Sequence, residues 1–460
     1  MSAHGSTARQ SRRREWAGSV APDVIPAGDR PRSTPSRRAV LRAGLAGAAG
    51  IPLTAALASC GSQTSISSDP AELVLWYWNR SMAPSLLQQA ARQIPGTSKH
   101  LRADVIGGSF DNKLRTGFAA RAYVPDITAV NSNAALYFPS EDQFVDLDDY
   151  GAQEFAGDYY DWKWNLGRTP TGRFLFFPMD TGPTGFFYRA DLFEAAGMPS
   201  QPDEVSAAVR TWDDWIAFGQ QLRETSDVAL AGNAVLLFNQ FVNASPERFF
   251  DADDEPLFHR PDSAIRQAWD TAVKAVRAGV TRNLQVENEQ NAAWNSGKLG
   301  AHIEGAWWMK VLSDTAPDLA GLWRIAQQPG LPGNSGGSFL AVPKTCKDPA
   351  AALAFARWLT LPENQAQSYN EVQLFPSAPA AFTSGLMADS GGFFGDQDPL
   401  AFFSTAAENV PTTFISTYER QVEAFRDQLR VVESAGKDPD QAWDDAVAAV
   451  DKILKKRGVI

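Results

Sequence analysis

Thiols and imidazoles are scarce in this chain, with two cysteines and four histidines among 460 residues. Cys60 and Cys346 are too few for a disulfide framework, and no Cys pair or H-E-x-x-H motif is present to hold zinc. Gly333-Asn334-Ser335-Gly336-Gly337 matches the G-x-S-x-G nucleophile elbow. That mechanism needs a strand-turn-helix and a later histidine, and the last histidine is His302. Asp146-x-Asp148-x-Tyr150-Gly151 opens like a calcium loop, then fails with Tyr150 at its fifth position and Gly157 at its twelfth. No metal and no cofactor is therefore expected. A glycosidase needs two facing carboxylates; no local constellation argues for such a pair, and spacing alone leaves it open.

A permanent membrane span is also missing. The apolar run after Ser36-Arg37-Arg38-Ala39-Val40-Leu41-Arg42 is short, rich in Ala and Gly, and carries Arg42. A twin arginine ahead of such a run is an export address of the Tat type. The run ends in Leu57-Ala58-Ser59-Cys60, which resembles the bacterial lipobox, whose cysteine becomes the lipidated first residue. Residues 1–59 are expected to be the signal peptide, with 60–70 forming the lipidated Cys60 and a flexible Gly/Ser/Thr tether. Residues 1–59 hold nine Arg and three acids, so the remainder has 33 basic and 50 acidic residues and a net charge of −17. So acidic a body has no electrostatic basis for binding nucleic acid or anionic lipid.

Aromatic side chains are abundant: 14 Trp, 9 Tyr and 27 Phe. Leu73-Val74-Leu75-Trp76-Tyr77-Trp78 reads as a buried strand, followed by the helical SLLQQAARQ. Asp104-Val105-Ile106 and 127–130 are further strands, separated by a helix through KLRTGFAAR. Strand and helix alternate, which implies a parallel sheet with helices on its faces. Two more apolar strands, 174–180 and 185–188, flank a Gly/Pro turn. Helices are expected after Asp191-x-x-Glu194, from the capping box Thr211-x-x-Asp214, from Pro349, and over 440–456. Trp76 and Trp78 are placed on one strand face, and Trp307-Trp308 follow Gly305. Flat rings beside Asp, Asn and Arg suit sugars, whose C–H faces are apolar and whose hydroxyls need hydrogen-bond partners. Asn239-Gln240, polar between apolar runs, is a further candidate.

In order, these landmarks resemble the extracellular sugar-type solute-binding proteins of bacterial ABC importers (family 1, the maltose-binding-protein-like class). The resemblance is carried by the first strand and by Lys113-Leu114-x-Thr116-Gly117-Phe118-Ala119-Ala120 before Pro125-Asp126-Ile127. It continues in Phe144-Val145-Asp146-Leu147-Asp148-Asp149-Tyr150, in 185–199, in Thr211-Trp212, and in Ser296-Gly297-Lys298 through Gly305-Ala306-Trp307. Gly336-Gly337 ahead of Val342-Pro343-Lys344, residues 347–355 and Leu359-Thr360-Leu361-Pro362-Glu363 complete it. The resemblance implies an α/β, two-lobed periplasmic-binding-protein-like fold (class II), with a ligand cleft between lobes joined by crossing strands. The lobes would be 71–180 plus 306–345 and 183–303 plus 349–460, with crossings near 178–185, 303–307 and 343–349.

By the same resemblance the cleft holds Trp76, Trp78, Asn79, Ser109, Phe110, Asn131, Asp180, Trp307, Gly336 and Gly337. His302 stands where relatives commonly carry an apolar residue, and a packed role is expected for it. The expected function is a monomeric, lipid-anchored component of an ABC importer. It would take a mono- or oligosaccharide, close around it and deliver it to the permease subunits without turnover. A polyol, amino sugar or glycerophosphodiester in the same cleft is the alternative ligand, and a secreted glycosidase the alternative class.

Overall fold

A computed structural model of the chain describes residues 67–120, 123–132, 134–388 and 392–460. The leader and Cys60 lie outside the described residues. Among the described residues ten short strands form three sheets: β1 (Glu72–Tyr77), β2 (His100–Val105), β3 (Ile127–Val130), β4 (Phe176–Pro178), β5 (Asp180–Thr181), β6 (Thr184–Arg189), β7 (Ala301–Gly305), β8 (Trp323–Ala326), β9 (Phe339–Ala341) and β10 (Phe375–Pro376).

The first lobe is built on the sheet β2-β1-β3-β9-β4. β1 is parallel to β2 and β3, with Leu75 beside Ile127, while β9 runs antiparallel to β3 and β4. The central residues of β1 and all of β3 are buried, as apolar strands covered on both faces by helices must be. Helices Pro84–Arg92 and Phe110–Ala119 pack their apolar stripes, Leu86, Leu87 and Leu114 among them, into this core. Asp126, at the start of β3, is buried; it accepts hydrogen bonds from the amides of Val74 (2.9 Å) and Lys347 (3.0 Å).

The second lobe is built on the antiparallel sheet β7-β6-β8. Alternation along β6 sends Phe186 and Tyr188 to a core with Trp215 and Ile303, and Phe187 to a core with Trp308, Trp323 and Phe403. Beside it, helices Ala234–Asn243, Ala264–Arg277, Glu423–Ala435 and Pro439–Arg457 enclose a cluster around Trp269, Phe425 and Trp443. The capping box at Thr211 forms, with Asp214 N–H donating to the threonine hydroxyl and the Asp214 carboxylate accepting from Thr211 N–H. Asp191 does not cap its helix. Arg189 is the N-cap, and its guanidinium donates two hydrogen bonds to the Asp191 carboxylate, at 2.7 and 2.6 Å.

Two expected crossings and the lobe boundaries built on them are corrected. Residues 303–307 do not cross between lobes. After β7 the chain forms helix Trp308–Thr315 and then β8, which pairs with β6. Trp323 and Ile325 are buried on the Phe187 face, so the chain completes this sheet before leaving it. The second crossing is 327–338, from β8 to β9. Residues 343–349 do not cross either, because helix Pro349–Leu359 buries Leu353, Phe355 and Leu359 in the first lobe's core. The third crossing runs through helix Pro362–Val372 to β10, which pairs with β5 of the first crossing. The second crossing is hydrogen-bonded to the first: Gly182 N–H donates to Asn334 Oδ1 (2.9 Å) and Ser335 N–H to Gly182 O (2.8 Å). A Cβ on Gly182 would lie 2.0 Å from Ser335 O, so only glycine permits this approach.

Candidate ligand-binding site

Where the strands of the first lobe end, the chain turns toward the second lobe, and a cavity of about 630 Å³ opens there. Trp78 and Asn79 follow β1; Ser109, Phe110 and Asp111 open a helix; Asn131 and Ser132 follow β3; Asp180 comes from β5. Trp307, Lys310 and Val311 form the facing wall on the second lobe, with Gly336 and Gly337 on the second crossing. Nine of the expected residues therefore line one cavity: Trp78, Asn79, Ser109, Phe110, Asn131, Asp180, Trp307, Gly336 and Gly337.

The rings are held in place by contacts within the protein. Trp78 meets Phe110 edge-on at 5.2 Å. Trp307 donates its indole N–H to Ser335 O at 2.9 Å, fixing the ring against the second crossing. Asn131 Nδ2 and the Tyr137 hydroxyl each donate to Asp111, at 2.7 and 2.8 Å. Gly336 and Gly337 adopt positive φ (99° and 77°), and a Cβ on Gly337 would lie 2.9 Å from Asp180 O.

Asp180 is almost fully buried and accepts the Ser338 amide at 2.8 Å. Near it stands Lys163, fully buried, its Nζ 3.3 Å from the Phe339 ring centre and, among the described residues, without a hydrogen-bond acceptor. Burial raises the Asp180 pKa and lowers that of Lys163, and each charge opposes the other's shift. The lysine thus favours an ionised Asp180, the form that accepts hydroxyl hydrogen bonds most strongly.

Trp76 is a correction. It is 3% exposed, packs edge-on against Tyr123 at 5.9 Å under Lys113, and lines neither cavity. The strand ends at Tyr77, so only Trp78 leaves the sheet and reaches the cleft. Asn239 and Gln240 line a second, inner cavity of about 230 Å³, which shares Ser132, Gly336 and Gly337 with the first. Asn239 accepts from Arg426 Nε at 2.7 Å, and Gln240 donates to Glu304 at 3.3 Å. Arg426, Arg248, Asn243 and Glu304 belong to this chamber. The spacing Asn239-x-x-x-Asn243 marks one helix face; no sequence signal connects Arg426 to it.

Glu304 is buried, its Oε1 accepts from Gly305 N–H at 2.8 Å, and burial raises its pKa. His302 lies on the same side of β7, 3.8 Å from Glu304 Oε2, which is too long for a hydrogen bond. It is wedged between Trp294 and Trp308, with ring centres 5.0 and 4.7 Å away, and burial pushes its pKa down to about 3. A neutral imidazole packed between indoles is structural. Residues 333–337, the G-x-S-x-G stretch, lie within the second crossing and precede a strand. Asp146 and Asp148 serve a 3₁₀ turn and an ion pair with Arg168 (2.7 Å). Among the described residues no three His, Cys, Asp or Glu side chains gather as a metal site.

The model of the bacterial extracellular solute-binding proteins matches residues 103–366, more than half of the chain. A lactose-binding protein of Rhizobium radiobacter is 26% identical over 291 residues, which is 61% of this chain and 66% of that protein, just under two thirds of its length. Among solved structures, an extracellular solute-binding protein family 1 member superposes with TM-score 0.77 at 26% identity, covering 83% of this chain and 99% of the other. The galacto-N-biose/lacto-N-biose I-binding protein of a Bifidobacterium longum ABC transporter, solved with lacto-N-biose, gives TM-score 0.69 at 20% identity over 85% of this chain and 99% of its own. A binding protein from B. animalis subsp. lactis Bl-04, solved with β-1,6-galactobiose, gives 0.66 at 21% over 84% and 97%.

Proposed function

The chain belongs to the bacterial extracellular solute-binding proteins, and from that premise we propose that it is the carbohydrate-binding component of an ABC importer. Its cleft takes a mono- or oligosaccharide and hands it to the membrane permease. The observation that carries this reading is the meeting of aromatic faces from both lobes, Trp78 and Phe110 on one side and Trp307 on the other, around a cavity edged by Asn79, Asp111, Asn131 and Asp180. Rings supply the apolar contact for sugar C–H faces, and the carboxylates and amides accept and donate to hydroxyls. The volume is in the range of small-molecule sites, roughly 300–1,000 Å³. A sugar touching both walls is bound better by the closed arrangement than by an open one, which is the condition for ligand-driven closure.

The role is binding, without turnover, by a chain tethered to the extracytoplasmic face of the membrane through lipidated Cys60. The acidic composition, and carboxylates of Asp111 and Asp180 in the lining, favour uncharged sugars over free phosphates. Thermal-shift screening followed by titration calorimetry tests the reading, with monosaccharides, lactose, β-1,6-galactobiose, lacto-N-biose and glycerophosphodiesters as probes. At least one saccharide should raise the melting temperature and bind saturably. Binding confined to glycerophosphodiesters, or accumulation of a cleaved product, overturns it. Cys60→Ser should move the protein from the membrane fraction to the medium.

A further inference from the structure

Most described arginines of this acidic protein are ion-paired, Arg80, Arg102, Arg168, Arg173, Arg189 and Arg357 among them. Three that are not converge on one place. Arg115, Arg420 and Arg457 line a cavity of about 230 Å³ separate from the two described above. Among the described residues, none of the three guanidinium groups has a hydrogen bond or an ion pair. Arg115 comes from helix Phe110–Ala119 of the first lobe; Arg420 from the 3₁₀ turn Glu419–Val422 and Arg457 from the end of helix Pro439–Arg457, both of the second. Beside them the turn Ala134–Leu136 of the first lobe touches Glu419–Val422, so the cavity straddles the edge along which the lobes meet.

Bringing Arg115 toward Arg420 and Arg457 sets like charges against one another. Burial and these two neighbours pull Arg420 below its usual pKa. Asp111 opposes the shift, but its carboxylate, hydrogen-bonded by Asn131 and Tyr137, is one negative charge against three guanidinium groups. The contact between the lobes is therefore short of negative charge at this point.

We propose that this pocket is an oxyanion site: a phosphate-type group held by Arg115, Arg420 and Arg457 links the two lobes across the cleft edge and favours their contact. Guanidinium forks match the oxygens of such a group in charge and geometry. An anion touching both lobes binds the closed arrangement better than an open one, so it shifts that equilibrium whatever solute the cleft holds. The proposal rests on the two-lobed architecture and not on the sugar reading.

The test uses the exported full-length body without sugar. Inorganic phosphate is titrated against chloride at constant ionic strength while the melting temperature is followed. Saturable stabilisation of about 1–3 °C is expected for the wild type. Arg115→Gln and Arg420→Gln should abolish it, Arg420→Lys should retain part of it, and Arg92→Gln, on an exposed helix end away from the pocket, should leave it intact. Free phosphate and a phospholipid headgroup share this chemistry, so a second arm measures sedimentation with phosphatidylglycerol and with phosphatidylcholine vesicles. Arg420-dependent binding in either arm supports the site and identifies its source. No saturable effect in either arm, or an equal effect in the Gln variants, overturns it. Because no sugar is present, a failed sugar screen leaves this outcome unaffected.

Discussion

Replacing Trp307 by alanine separates a ligand platform from an ordinary half-buried indole. The ring lines the larger cavity, and its N–H is tied to Ser335 O at 2.9 Å. A sugar face stacked on it removes roughly 80 Å² of apolar surface from water, about 2 kcal/mol at ~25 cal/mol/Å². The specific aromatic contact adds roughly 0.5–1.5 kcal/mol. A loss of about 2.5–3.5 kcal/mol corresponds to a roughly 60- to 300-fold weaker Kd. Trp307→Phe keeps a ring face and loses only the indole hydrogen bond, of net value about 0.5–1.5 kcal/mol, so its Kd should rise no more than roughly tenfold. Titration calorimetry with the best saccharide reads both, and circular dichroism melts confirm that the variants fold. A Trp307→Ala protein that is folded and binds within threefold of wild type would refute the placement of the sugar against this ring.

Trp76→Phe should cost about 1–2 kcal/mol of stability by leaving space in the first lobe's core, while sugar affinity stays within twofold; weakened binding in a stable variant would return Trp76 to the site. His302 has a folded pKa near 3 and an unfolded value of about 6.5, so protons bind the unfolded chain more tightly. Its contribution to stability is intact above pH 6.5 and is lost as pH falls toward 3. In urea melts, the wild type should therefore lose about 2 kcal/mol relative to His302→Met between pH 7.5 and 5.0, and a pH-independent difference counts against a buried neutral imidazole. Gly337→Ala forces a Cβ onto a residue at φ 77°, 2.9 Å from Asp180 O and 3.1 Å from Lys163 Nζ. It should lower stability by about 2 kcal/mol or more and weaken sugar binding; an unperturbed melt would mean the crossing yields more easily than its packing implies.

Local pattern made the strands and most helices legible. The apolar run of β1, the four residues of β3 and the capping box at Thr211 lie where sequence places them, because each depends on residues close in the chain. The crossings at 303–307 and 343–349 did not, because a strand or helix belongs to whichever sheet or core its side chains complete. Trp323-x-Ile325 completes the Phe187 face, and nothing local says so. Trp76, which the resemblance places in the cleft, is buried for a related reason. Alternation puts it on one face with Trp78, but the strand ends between them and only Trp78 leaves the sheet. Arg426 and Arg248 reach the inner chamber from segments remote from its helix, a relation carried only by the tertiary fold.

Relocating the second crossing changes what Trp307 can do. Had 303–307 run between the lobes, Trp307 would sit on a connection and move with neither. It stands instead at the edge of the second lobe, facing Trp78 and Phe110 of the first, while its N–H holds Ser335 of the true crossing. Ser335 is in turn bonded to Gly182 of the first crossing, and β5 to β10 of the third. A solute lodged against the indole therefore presses on a side chain already joined to the connections about which the lobes must turn. On the sugar-binding reading, this short chain of hydrogen bonds would couple occupancy of the cleft to the angle between the lobes. The residue that recognises the ligand would then also be the one through which the lobes register its presence.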